Sequence, residues 1–178
     1  MNKIQLVSRI LQYVFLFLLI ALPVFSVIVW FYASIPNGYE VKTNFLSLTT
    51  NTIVHDLDFP GRLVGFLVNL IPLSIQMFGI FCLYKLFKLY EQGKIFTLLN
   101  VKYIRLVAIT LIAQEIIRPF TQIITTYILT FNQPGHHMIA VTFSNKDISN
   151  ILMGVVILLA SWIMAEACKL HDEHTLTI

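Results

Sequence analysis

Four long apolar runs leave this chain few folds to choose from. Ile10–Tyr32, Leu63–Tyr84, Leu106–Thr130 and Ile148–Cys168 run from 21 to 25 residues each. A helix rises 1.5 Å per residue, so about 20 apolar residues cross a hydrocarbon core of about 30 Å. Inside lipid every backbone N–H and C=O needs a partner within the protein, and a helix supplies one for each. The chain therefore reads as an all-α membrane protein of four transmembrane helices, one domain spanning 1–178, with spans at about 10–32, 63–84, 106–130 and 148–168. Composition agrees. Of 178 residues, 57% are hydrophobic and 12% charged, about half the charge of a typical soluble domain.

The first run also has to be weighed against a cleaved signal peptide. Such a peptide has an apolar core of about 7–15 residues and then a small-residue cleavage site. Ile10–Tyr32 is longer, and Phe31 stands where a small residue would be wanted before Ala33. A first span is the reading that fits.

Basic residues set the orientation. With both termini in the cytoplasm, the inside holds Lys3, Arg9, Lys85, Lys88, Lys94, Lys102, Arg105 and Lys169, and the outside holds Lys42, Arg62 and Lys146. The net charge of +3 thus follows the membrane and gives no ground for direct nucleic-acid binding. Cys82 and Cys168 fall near the inner helix ends, so no disulfide framework is expected.

The cytoplasmic joint, 85–105, is the most charged part of the chain between the spans. It holds Lys85, Lys88, Lys94, Lys102 and Arg105 against one acid, Glu91. Leu83, Leu86, Phe87 and Tyr90 recur at helical spacing on one face. Gly93 is placed to cap that helix in the left-handed conformation, and Thr97 to cap the next one from Leu98.

The outer loops, 33–62 and 131–147, carry turn signals at Pro36-Asn37-Gly38 and Gln133-Pro134-Gly135. Phe45–Val54 and His137–Phe143 have strand-like composition and are expected to pair into a small β cap. Ser144 and Asp147 have the spacing of a capping box at the start of the fourth span.

Within the spans, Pro23, Pro72 and Pro119 each remove a backbone hydrogen bond, and kinks are expected there. The third span contains Gln114, Glu115, Arg118, Thr121 and Gln122. Ionisable side chains inside a span cost several kcal/mol unless satisfied. Glu115 and Arg118 are three residues apart and can pair on one face. A paired, charge-neutral structural patch and an ion or ligand site are the two readings. Asn69 and Gln76 of the second span are their natural partners. Gly61 and Gly65 have a spacing that lets another helix approach, which is compatible with a homo-oligomer. Glu166, at the inner end of the fourth span, either lies at headgroup level or pairs with Lys102 or Arg105.

No catalytic motif emerges, and no cofactor is expected. His171 and His174 are three apart, but the three or four ligands of a metal site are not assembled. The chain is therefore expected not to be an enzyme.

Two stretches carry a family resemblance. One is Leu86-Phe87-Lys88-Leu89-Tyr90-Glu91-Gln92-Gly93-Lys94-Ile95-Phe96-Thr97, followed by Asn100-Val101 and Arg105. The other is the tail from Glu166 through Glu173 to Thr177-Ile178. Together they resemble a family of small bacterial four-span membrane proteins known as a domain of unknown function, YoaS-like proteins being examples. Ala167 stands where that family is expected to have glycine, and the outer loops and the Glu115/Arg118 pair find no counterpart. The resemblance implies a bacterial inner-membrane location and no established catalytic activity. It also implies a neighbouring gene for a very small helix-turn-helix regulator, and so a regulatory protein that docks such a partner. Lys85, Lys88, Gly93, Lys94, Phe96, Thr97, Asn100, Glu166 and Glu173 would form the docking surface beside the lipid bilayer. Attraction of the lysines to anionic lipid is the plain alternative for that surface. For function, the competing reading is an ion-handling, small-molecule or peptide-immunity protein working through Asn69, Gln76, Glu115 and Arg118.

Overall fold

The structure is a computed structural model. It describes residues 3–32, 40–43, 48–53, 59–94, 97–130, 141 and 145–176, with side chains at 3–31, 59–94, 97–128, 141 and 145–170. Four helices dominate: α1 Lys3–Tyr32, α2 Phe59–Glu91, α3 Leu98–Thr130 and α4 Asn145–Leu176. All four are long and apolar enough to cross a membrane. At 30 to 33 residues, each measures about 45–50 Å, well beyond the hydrocarbon core. The excess is polar helix past the apolar runs, which hydropathy does not mark. Pro23, Pro72 and Pro119 all lie inside continuous helices.

The helices pack in chain order, α1 on α2, α2 on α3 and α3 on α4. Each interface is antiparallel. Trp30 of α1 covers Gly65 of α2, where a methyl group would stand 2.3 Å from the indole ring. Gly65 therefore serves a contact inside the chain. Nearby, Asn69 donates to Ser26 Oγ at 3.1 Å, both buried. Gly79 faces Thr110, and Gly154 lies against Ile112 and the Ala108 carbonyl. The start of α1, the end of α4 and the α2–α3 turn thus share one end of the molecule, the joint end. The C-terminal ends of α1 and α3 and the N-terminal ends of α2 and α4 share the other, the loop end.

Helices α1 and α4 form the edges of the row and expose most of their apolar surface. Phe17 is 69% exposed and Trp162 55%. In water such faces would be a large apolar patch; in a bilayer they are the lipid-facing surface. Arg62 Nη1 reaches the Phe31 carbonyl at 3.4 Å, where a cation suits the C-terminal end of α1.

At the loop end, β1 Glu40–Thr43 and β2 Leu48–Ile53 form an antiparallel hairpin, with Lys42 opposite Thr49 and an irregularity between Glu40 and Lys42. Strand β2 falls inside the expected Phe45–Val54. It pairs with the adjacent β1, while the expected pairing with the second loop lies outside the described residues. Of His137–Phe143 only Val141 is described, and it lies in no strand.

Candidate functional site

Two places gather the polar side chains, one at each end. At the joint, the α2 C-terminus is a Schellman motif. Gly93 has φ 77°. Its N–H donates to the Tyr90 carbonyl and that of Lys94 to the Leu89 carbonyl, both at 3.0 Å. These bonds satisfy carbonyls that a helix end leaves open. Thr97 caps α3: its carbonyl accepts from the N–H groups of Asn100 and Val101, and its Oγ1 from Asn100 at 3.4 Å. Asn100 is fully buried and donates from Nδ2 to the Lys94 carbonyl at 2.6 Å. Its side chain ties the first turn of α3 to the residue just past the α2 cap.

Gly93, Thr97 and Asn100 therefore build the turn. Lys88 and Lys94 are exposed beside it, and Lys85 lies over the Phe81 ring at 5.3 Å. Phe96 lies outside the described residues. Glu166 is exposed and pairs with Lys169 on its own helix at 3.5 Å; of its two readings, the pairing with Lys102 or Arg105 is not formed. One helical turn on the same helix is nearer than a neighbouring one. Glu173 is on α4, its side chain beyond those described, as are those of His171 and His174. Among the described residues no three His, Cys, Asp or Glu side chains gather in metal-binding reach.

Sequence reasoning missed what holds Glu91. Arg9 Nε donates to its Oε1 at 2.7 Å, and Gln12 Nε2 to its Oε2 at 2.7 Å and to the Phe87 carbonyl at 3.2 Å. Phe15 stacks on Phe87 at 5.5 Å just above. The only acid of the joint is thus bound by the start of α1. Its isolation among cations was the available signal.

The second place lies between α3 and α4. Arg118 Nη1 bonds Glu115 Oε2 at 3.4 Å and Asp147 Oδ1 more closely, while Asn150 Nδ2 donates to Glu115 Oε1 at 2.7 Å. The side chains of Arg118, Glu115 and Asp147 are 13%, 9% and 5% exposed. The Glu115–Arg118 pair forms as expected, but its partners are not Asn69 and Gln76. Asn69 serves Ser26, and Gln76 is half-buried on α2. The reason is helical phase. Glu115 lies one turn from Ile112 on the face of α3 that meets α4, whereas Thr110 is on the face that meets α2. With Asp147 included, Arg118 is shared between two carboxylates and not held by Glu115 alone. Nor is it at midspan. Asp147 is in the first turn of α4, and the stretch from there to Glu166 measures about 28 Å, close to one hydrocarbon thickness. Arg118 therefore lies level with the boundary of the apolar stretch of α4. Ser144, the other half of the expected capping box, is outside the described residues.

Beyond Arg118 toward the loop end, Thr121, Gln122, Thr125 and Thr126 are all buried. Thr121 donates to the Arg118 carbonyl at 2.9 Å and Thr126 to the Gln122 carbonyl at 2.8 Å, so these hydroxyls are satisfied within the helix. Thr125 and Thr126 had no distinguishing signal in sequence.

A family model described as a protein of unknown function (DUF2975) matches residues 11–178. No curated protein and no solved structure matches the chain.

Proposed function

The chain belongs to the DUF2975 family, and on that premise we propose that it is a non-enzymatic regulatory protein of the bacterial inner membrane. It docks a small cytoplasmic helix-turn-helix regulator through the 85–105 joint and the C-terminal end of α4. Both termini are cytoplasmic in this reading, which the distribution of Lys and Arg supports. The observation that carries it is the construction of the joint. A Schellman cap, an N-cap and the buried Asn100 clamp hold the turn, and Lys88 and Lys94 stand exposed on it with no hydrogen-bonded carboxylate among the described residues. A rigid turn with free donors is suited to recognition, because little order has to be gained on binding. Gly93, Thr97 and Asn100 shape this surface, and Lys85, Lys88, Lys94, Phe96, Glu166 and Glu173 are its contact residues.

The competing reading makes Glu115 and Arg118 a ligand or ion site. The bonds from Arg118 to Asp147 and from Asn150 to Glu115 favour a role in fastening α4 to α3. A photo-crosslinker placed at Phe96, and separately at Glu115, in native membranes tests the choice. Capture of a small DNA-binding protein at Phe96 is expected. A small molecule or peptide captured at Glu115, with nothing at Phe96, would move the function into the spans.

A further inference from the structure

Lys102 and Arg105 are both exposed on α3. Ile109, Ile116 and Phe120 continue their face toward the loop end and are 46%, 56% and 63% exposed. The spacing makes one stripe, and in a bilayer that stripe meets lipid. On the other side of the two cations, Leu98 and Leu99 are 57% and 54% exposed. The cations are bracketed by apolar side chains along the helix.

Their depth follows from the register of α3 against α4. Arg118 faces Asp147 and Glu115 faces Asn150. Carried toward the joint end, that antiparallel pairing sets Arg105 level with Ala160 and Lys102 level with Ile163. Here α4 is still apolar, with Trp162 and Ile163 55% and 64% exposed. The next carboxylate of α4 toward the joint end, Glu166, is about 9 Å beyond Ala160. Two cations thus sit on a lipid-facing stripe at a depth where the adjacent helix is hydrocarbon-compatible. A charge there must stretch toward water or meet an anion. The nearby carboxylates do not serve: Glu166 pairs with Lys169, and Glu91 is held by Arg9 and Gln12.

The anion available on a lipid-facing stripe is a headgroup phosphate. We infer that Lys102 and Arg105 form a headgroup site for an anionic phospholipid, whose acyl chains run along Ile109 and Ile116 beside Trp162. The Arg105 guanidinium offers a paired donor edge to phosphate oxygens, and Lys102 adds a point charge one turn away. The apolar stripe on both sides selects a lipid over free phosphate. The site does not depend on the regulatory reading, whose contact residues in the same joint are Lys85, Lys88, Lys94 and Phe96 and include neither Lys102 nor Arg105.

Native mass spectrometry of the full chain, released from bilayers of equimolar phosphatidylglycerol and phosphatidylcholine, tests this. The wild-type chain is expected to retain phosphatidylglycerol in preference. Lys102→Gln with Arg105→Gln is expected to cut that preference roughly 25-fold, each surface cation contributing on the order of fivefold. Lys88→Gln with Lys94→Gln, and the charge-conserving Lys102→Arg, are expected to keep it. Added inorganic phosphate is expected not to displace the lipid. No preference in the wild type, displacement by phosphate, or a loss produced equally by the Lys88/Lys94 pair would overturn the site. Should the double variant fail to fold, a photoreactive phosphatidylglycerol on the wild-type chain decides. Labelling within 98–109 supports the proposal, and labelling confined to other segments refutes it.

Discussion

The two ends of the molecule use the same chemistry in different surroundings. At the joint end Glu91 accepts from Arg9 and Gln12; toward the loop end Glu115 accepts from Arg118 and Asn150. Each is a glutamate held by one guanidinium and one amide; at Glu91 both reach across from α1, whereas at Glu115 the amide comes from α4 and the guanidinium from one turn along α3 itself. At the joint the ion pair is open, with Arg9 52% and Glu91 27% exposed. Between α3 and α4 the exposures are 13% for Arg118, 9% for Glu115 and 5% for the added acid Asp147. Burial decides what each is worth. An exposed pair exchanges water for protein at little net gain. A buried one cannot lose a partner without leaving a charge stranded.

The largest effect is therefore expected at Arg118. Replacing it by methionine keeps much of the volume but removes the cation that both Glu115 and Asp147 bond. Removal of one partner from a buried set typically costs about 3–5 kcal/mol. Equilibrium unfolding of the full chain in mixed micelles, followed by helicity, measures it. A loss below about 1 kcal/mol would put the buried set on a level with exposed pairs and end the contrast between the two ends.

A middle-sized effect is expected at the turn itself. Asn100→Ala removes a fully buried donor and leaves the Lys94 carbonyl without it, at a cost of about 1–3 kcal/mol. Gly93→Ala meets only Gln5 Nε2, at an ordinary contact distance of 3.8 Å, so only its φ of 77° is penalised. That penalty is about 1–2 kcal/mol. The same unfolding assay ranks both between Arg118→Met and any change at Arg9. If Asn100→Ala proved neutral, the joint would be held by its caps alone, and the rigid platform that the regulatory proposal relies on would lose its clamp.

What was legible in the sequence followed from the range of each interaction. The spans were readable because lipid demands long uninterrupted apolar runs. The Gly93 and Thr97 caps were readable because a cap is settled by a few adjacent residues. The Glu115–Arg118 pair was readable because three residues make one helical turn. Asp147 and Asn150 were not, since they reach α3 from 29 and 35 residues away. Arg9 and Gln12 reach Glu91 from 82 and 79. Asn69 and Gln76 were assigned to the wrong neighbour because polarity alone says that a partner is needed and not on which helix face it stands. The helix ends ran past their spans because polar helix carries no hydropathy signal, and the depth of Arg118, level with the first turn of α4, was set by a partner helix that the third span alone does not reveal.

The smallest effect is expected at Arg9, and it sharpens the comparison most by its salt dependence. Arg9→Met removes one bond to Glu91 but leaves Gln12 bonded to the other oxygen and to the Phe87 carbonyl, with Phe15 still stacked on Phe87. The expected loss is about 0.2–1 kcal/mol. Screening reaches exposed charges and hardly reaches buried ones, the Debye length shrinking from about 10 Å at 0.1 M salt to about 3 Å at 1 M. Raising salt across that range is expected to erase the difference between Arg9→Met and wild type while leaving the Arg118→Met deficit in place. Glu91→Gln should behave like Arg9→Met, and the double variant should cost no more than either alone. If the Arg9 deficit survived high salt, Glu91 would be shielded in the membrane by something other than its own side-chain partners, and lipid packed against the joint would be the first candidate.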